Sequence, residues 1–156
     1  MAKRNVTYRI FEIKNNELTE DASGLKDDLR ECLKDSKIEK RLIPVKDDDD
    51  TLKDLLGAFA PGTTAPDTDY FYGVMMRLKP AKEIKALPDN YEQLTELEES
   101  KLQEIKEIAG KTVCSNLYHF LIKGKYLITD LSQIQTISCL QKYIAKLLTK
   151  ECYAFV

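Results

Sequence analysis

Apolar and polar residues alternate over residues 5–13, where Val6, Tyr8 and Ile10 take one side and Phe11 and Ile13 the other. β-Branched and aromatic side chains at this period predict a strand covered on both faces, ended by Lys14-Asn15-Asn16. Over 22–36 the period changes. Leu25, Leu29, Cys32 and Leu33 follow i, i+4, i+7 and i+8, the apolar stripe of an amphipathic helix whose other face is Lys26, Asp27, Arg30, Glu31 and Lys34. Residues 41–45 read as a short strand, and Pro44 confines it to a sheet edge because proline has no N–H to offer a neighbour.

Asp47, Asp48, Asp49 and Asp50 lead into residues 51–59, whose leucines predict a short helix with carboxylates at its positive end. Two prolines and a glycine make 61–69 a loop. Residues 70–78 are almost continuously apolar, which predicts a central strand covered on both faces. An irregular stretch over 80–90 precedes a charged helix over 95–109, with Leu94, Leu97, Leu102, Ile105 and Ile108 as its buried stripe and Gly110 as its stop.

The plainest local signal lies in the last third. Leu117-Tyr118-His119-Phe120-Leu121-Ile122 and Tyr126-Leu127-Ile128-Thr129 flank Lys123-Gly124-Lys125, which reads as a hairpin over 113–131. Ser132 and Gln135 fit a capping box before a helix to residue 150, with Ile134, Ile137, Leu140, Ile144 and Leu147 or Leu148 inward. Residues 152–156 form a last strand. Strands and helices so interspersed, with a hairpin among them, predict a single α+β domain over 1–156: a mixed or mainly antiparallel sheet with about four helices packed on it.

Composition narrows the possibilities. A chain of 156 residues is long enough for one self-sufficient core. The formal net charge of -2 argues against bulk attraction to nucleic acid, so a charge-driven partner must meet a local patch. Lys3 and Arg4 are followed by no apolar leader, and no run is long enough to span a bilayer; a cytoplasmic location and no membrane partner are expected. Cys32, Cys114, Cys139 and Cys152 lack paired-ligand spacing and read as reduced, small hydrophobes. No cofactor or metal is expected.

Candidate chemistry is sparse. His119 shares a face with Leu117 and Leu121 and reads as a hydrogen-bonded or half-exposed strand histidine; Asp130 is its possible partner across the hairpin if the register allows. The aspartate run lacks the alternating spacing and glycine of a calcium loop, so solvation and helix capping are the favoured reading over metal binding. Glu96 and Glu99, with Glu92, Glu98, Glu104 and Glu107, make an acidic surface. Lys123, Lys125, Lys142 and Lys146 make the C-terminal part basic, and Lys123 and Lys125 beside Tyr126 could touch phosphates and a base. Phosphate-binding glycine loops, zinc-protease and nucleophile-elbow motifs are lacking, which disfavours nucleotide-dependent and triad enzymes.

The layout around Phe71-Tyr72-Gly73-Val74-Met75-Met76-Arg77 and Tyr118-His119-Phe120-Leu121-Ile122-Lys123-Gly124-Lys125-Tyr126-Leu127-Ile128 resembles the amino-terminal regions of Rex-type phage-exclusion and abortive-infection proteins of bacterial mobile elements. The resemblance covers about the last ninety residues and transfers no functional residue. It implies a prokaryotic defence or counter-defence setting. The expected function is therefore a non-enzymatic interaction protein binding a macromolecule, most naturally a protein, with a homodimer plausible because sheet edges need cover. A nucleic-acid binder using one basic face of Lys123, Lys125, Lys142 and Lys146 is the first alternative. A metal-dependent nuclease using Asp47, Asp48, Asp49 and Asp50 is the second.

Overall fold

The computed structural model describes residues 6–16, 24–34, 36–60, 69–80, 85–86, 91–96, 103–104, 112–131 and 136–156. Nine strands and three α-helices are found among them: β1 (Arg9–Asn15), α1 (Leu25–Leu33), α2 (Ile38–Arg41), β2 (Ile43–Lys46), β3 (Asp49–Ala60), β4 (Tyr70–Pro80), β5 (Lys85–Ala86), β6 (Gln103–Glu104), β7 (Thr112–Lys123), β8 (Tyr126–Thr129), α3 (Ile137–Leu148) and β9 (Tyr153–Phe155). Seven strands form one path, β2-β3-β4-β7-β8-β1-β9, curled into a half-barrel. The two-residue strands β5 and β6 pair with each other, and β5 also with β7. Every pairing is antiparallel.

This corrects the expectation of about four helices packed on the sheet. The helix predicted over 51–59 is the long strand β3. Its register slips between Leu56 and Ala58 where it pairs with β4, a bulge that lets Leu56 and Phe59 lie in the same core cluster. That spacing of three imitates a helical stripe. The aspartates accordingly cap no helix: Asp47 and Asp48 form the turn between β2 and β3, and Asp49 and Asp50 begin β3. The helix predicted over 95–109 is interrupted, because Gln103–Glu104 is extended and paired with Lys85–Ala86; residues 97–102 and 105–110, Glu99 and Gly110 included, lie outside the described residues. So do Ser132 and Gln135 of the expected capping box, and α3 begins at Ile137 behind Thr136.

Other elements match their patterns more closely. Pro44 sits in β2, at the end of the strand order, where a missing N–H costs no ladder bond. The hairpin turns through Gly124 and Lys125, with Gly124 at φ 58°, the first-position glycine of a two-residue turn. β9 closes the path by pairing with the second half of β1, while the first half of β1 pairs with β8.

One face of the sheet carries the main core. Leu25, Leu29 and Leu33 of α1 and Leu140, Tyr143 and Ile144 of α3 meet Phe59, Phe71, Met75, Phe120, Ile122, Leu127 and Phe155 there. Gly73 makes room for Phe120, since a Cβ at position 73 would lie 2.6 Å from that ring and 2.9 Å from Leu56 Cδ1. On the opposite face a smaller cluster, Ile38, Leu55, Met76 and Leu78, covers part of β3 and β4. Arg41 is fully buried, lies over the Phe59 ring at 5.2 Å and donates to the carbonyls of Leu56, Ser36 and Thr95 at 2.9, 2.8 and 2.6 Å, which ties α2 to β3 and to the segment after the Tyr91–Gln93 turn. Burial holds its pKa down, and Tyr143, Glu96 and Cys32 push it back up.

Candidate functional site

Among the described residues, the smaller cluster leaves the other half of its face open. Register alone places the side chains there. Tyr72 of β4 lies opposite Leu121 of β7, Leu121 opposite Ile128 of β8, and Ile128 opposite Ile10 of β1, so an apolar row crosses four strands. Beside it runs a second row, Tyr70, Lys123, Tyr126 and Glu12. On the other flank His119 lies opposite Val74. Ile10 is 66% exposed, Tyr126 45% and Tyr70 38%, and Tyr8, just before β1, is 65% exposed. The first strand is thus covered on one face only: Phe11 and Ile13 pack into the main core, and Ile10 does not.

Two aromatic rings on this face are stacked, Tyr72 on His119, with centroids 5.9 Å apart and planes 19° off parallel. Asp130 holds the imidazole from behind. Its Oδ2 lies 2.8 Å from His119 Nδ1, while its Oδ1 accepts the His119 backbone N–H at 2.6 Å. With the Nδ1 proton directed at the carboxylate, Nε2 is left for the open face. The two bonds from one carboxylate fix the orientation of the ring.

The hairpin tip borders the same face. Lys125 Nζ lies 5.4 Å from the Tyr126 ring centroid and 3.8 Å from Glu12, which also binds Lys14 at 2.9 Å. Lys123 approaches Asp69 at 3.7 Å. These are exposed pairs, individually weak and screened by salt. The Glu12 carboxyl is held below its usual range, first by the hydrogen bond from Lys14.

The other two predicted lysines are elsewhere. Lys142 and Lys146 stand on α3 over β2 and line a groove with Lys46, Asp54, Cys139 and Tyr143, whereas Lys123 and Lys125 line a separate cavity with the start of α1. The four lysines therefore do not make one basic face. Lys146 binds Asp47 at 2.7 Å, which holds that carboxyl below its usual range. Asp48 is exposed in the same turn, Glu96 is half-buried beyond α2, and Asp47 is drawn to lysines rather than gathered with other acids. No group of three potential metal ligands occurs among the described residues.

Beneath the groove Asp54 and Arg77 form a two-point ion pair at 2.9 and 3.1 Å across β3 and β4. The pKa of Arg77 is raised, chiefly by that hydrogen bond. Asp54, which the sequence groups with the aspartate run as a metal candidate, is instead paired with Arg77; sequence reading missed that pairing, Lys46 and the apolar row. The alternation of Tyr70, Tyr72 and Val74, and of Tyr8 and Ile10, was the available signal for the row; the ion pair needed the register. No helix among the described residues is long and apolar enough to cross a membrane. Comparison with protein-family models, with curated proteins and with solved structures finds no match.

Proposed function

We propose that this chain is a non-enzymatic binding domain that recognises a second polypeptide with the open half of its sheet. The observation that carries this reading is the apolar row Tyr72, Leu121, Ile128 and Ile10, with Ile10 at its end two-thirds exposed. Tyrosines on either side offer large contact area at low entropic cost, and a charge-free centre with a rim of both signs, Lys123, Lys125 and Glu12, matches the anatomy of protein interfaces. The row is half-buried at Tyr72, Leu121 and Ile128 and exposed at Ile10, with exposed Tyr8, Tyr70 and Tyr126 around it, and apolar surface so gathered on a folded domain calls for a partner. The phage defence or counter-defence setting implied by the resemblance belongs to this proposal, and so do the expected cytoplasmic location and a second copy of the chain as one such polypeptide.

Photo-crosslinking residues placed at Ile10 and Tyr126 in a bacterial host carrying the protein test it. A single polypeptide should be captured at both positions, should disappear with Leu121→Asp, and should not be captured from Glu31 on the far side of α1. Capture indifferent to Leu121→Asp would refute the reading. Light scattering on the purified chain then tells self-association from a foreign partner.

A second reading has its own support: the Tyr72–His119 stack with Lys123 and Lys125 nearby is the kind of platform on which unpaired bases stack. Salt-sensitive binding of oligothymidylate or oligouridylate, lost in Tyr72→Ala, would favour it over a polypeptide.

A further inference from the structure

The groove between β2 and α3 lies apart from the open face and uses none of its residues. Its walls are Ile43, Pro44, Val45, Cys139 and Tyr143, and its rim is Lys46, Lys142 and Lys146. Three lysines line this one groove on a chain whose net charge is -2. Lys46 and Lys142 have no anionic partner within ion-pair distance among the described residues. Among the described residues, Lys146 is met by Asp47, whose side chain is 90% exposed, and by the Pro44 carbonyl at 3.4 Å. Asp54, at the inner end, is already neutralised by Arg77. Like charges brought together over a small cavity repel one another, and an anion seated among them removes that cost.

We propose that this groove binds the phosphate group of a small phosphate monoester. Three lysines are mobile point charges, suited to a tetrahedral dianion with several acceptor oxygens; a planar carboxylate is better matched by the fork of an arginine. The cavity measures about 200 Å³. That is below the roughly 300–1,000 Å³ of a drug-sized pocket, so it admits a phosphate with a short carbon skeleton and not a whole nucleotide. The carbon part lies on Ile43, Val45 and the Tyr143 ring. Tyr143 itself supplies no free hydroxyl, since it accepts the Leu56 N–H and donates to the Arg41 carbonyl, both at 2.8 Å. Asp47 occupies the position of a competitor: its carboxylate holds Lys146 and feels the field of Lys142.

Amide-resolved titration of the full chain with inorganic phosphate, phenyl phosphate and benzoate, at constant ionic strength in chloride, tests this. Saturable shifts should map to β2 and the middle of α3, with phenyl phosphate tighter than phosphate and benzoate the weakest. Lys142→Glu with Lys146→Glu should weaken phenyl phosphate by at least about tenfold, the loss of one or two charge-assisted hydrogen bonds. Both lysines are exposed, so the fold is retained, and circular dichroism checks it. Asp47→Asn, which removes the competitor, should tighten binding. Unsaturable shifts, benzoate binding as well as phenyl phosphate, or a double variant that binds unchanged would each overturn the proposal.

Discussion

Asp130 makes two hydrogen bonds to one residue, His119: the Oδ1 atom takes its backbone N–H at 2.6 Å and the Oδ2 atom its ring Nδ1 at 2.8 Å. Residue 130 lies just past the end of β8, so its side chain continues the ladder by one further rung. Thr129 Oγ1 and the Asp130 N–H both donate to the His119 carbonyl, which completes that rung. Asp130→Ala should cost about 1.5–3 kcal/mol, the value of charge-assisted bonds to partly buried groups, while Asp130→Asn should cost less because its carbonyl oxygen can still accept the backbone N–H. Urea denaturation of both variants measures the difference.

The close approach at Gly73 is as specific. A methyl group there meets a Phe120 ring that is itself packed at 5.9 Å against Phe71, so the ring has no direction in which to yield. Gly73→Ala should destabilise by about 1–3 kcal/mol, the cost of overpacking a filled core. Equal stability to the parent chain would show that the Phe71–Phe120 layer can shift.

Thr149 ends α3 in the left-handed region, at φ 52° and ψ 41°, while Thr149 and Lys150 return their N–H groups to Lys146 and Ala145. A β-branched residue there carries a strain of about 1–2 kcal/mol that glycine avoids. Thr149→Gly should raise the melting temperature; part of the gain is lost to the greater freedom of glycine in the unfolded chain.

Alkali should unfold this protein early. Burial pushes the hydroxyls of Tyr118 and Tyr143 and the thiol of Cys32 above their ordinary values. Between the ordinary and the raised value the folded chain holds more protons than the unfolded one, so stability falls with rising pH. It should decline above about pH 9–10, where free thiols and phenols ionise. The Tyr118 hydroxyl is buried with no hydrogen-bond partner among the described residues, so Tyr118→Phe should leave neutral stability unchanged or raise it by up to about 1 kcal/mol, and should flatten the alkaline decline. A large loss at neutral pH would reveal a partner for the hydroxyl.

Ile10 separates stability from binding. Being two-thirds exposed, it should tolerate Ile10→Lys at a cost below about 1 kcal/mol, whereas a charge at the end of the apolar row should abolish capture of the partner. Denaturation and crosslinking on the same preparation read the two effects apart.

Much of the local architecture was legible in the residues themselves. Period-two alternation around Gly124 specified the hairpin, Leu25, Leu29 and Leu33 specified the buried stripe of α1, and Pro44 specified an edge, because each of these depends on neighbours in sequence. Where the bulge in β3 broke the alternation, the same logic misread a strand as a helix. Leu56 and Phe59 join one cluster only because a register slip against β4 realigns them, and no local propensity records that slip.

The candidate sites divide in the same way. Residue type and order determined that the hairpin and the last helix would carry lysines, that no phosphate-loop or triad motif exists, and that His119 and Asp130 could meet if register allowed. Tertiary structure decided the rest. Strand pairing lined up Tyr72, Leu121, Ile128 and Ile10 from four separate strands, set Asp130 on His119, and sent Lys142 and Lys146 to join Lys46 instead of the hairpin tip. A sequence fixes which way each side chain points along its own strand; which strands become neighbours depends on burial shared across the whole chain, and a binding surface is made of those neighbours.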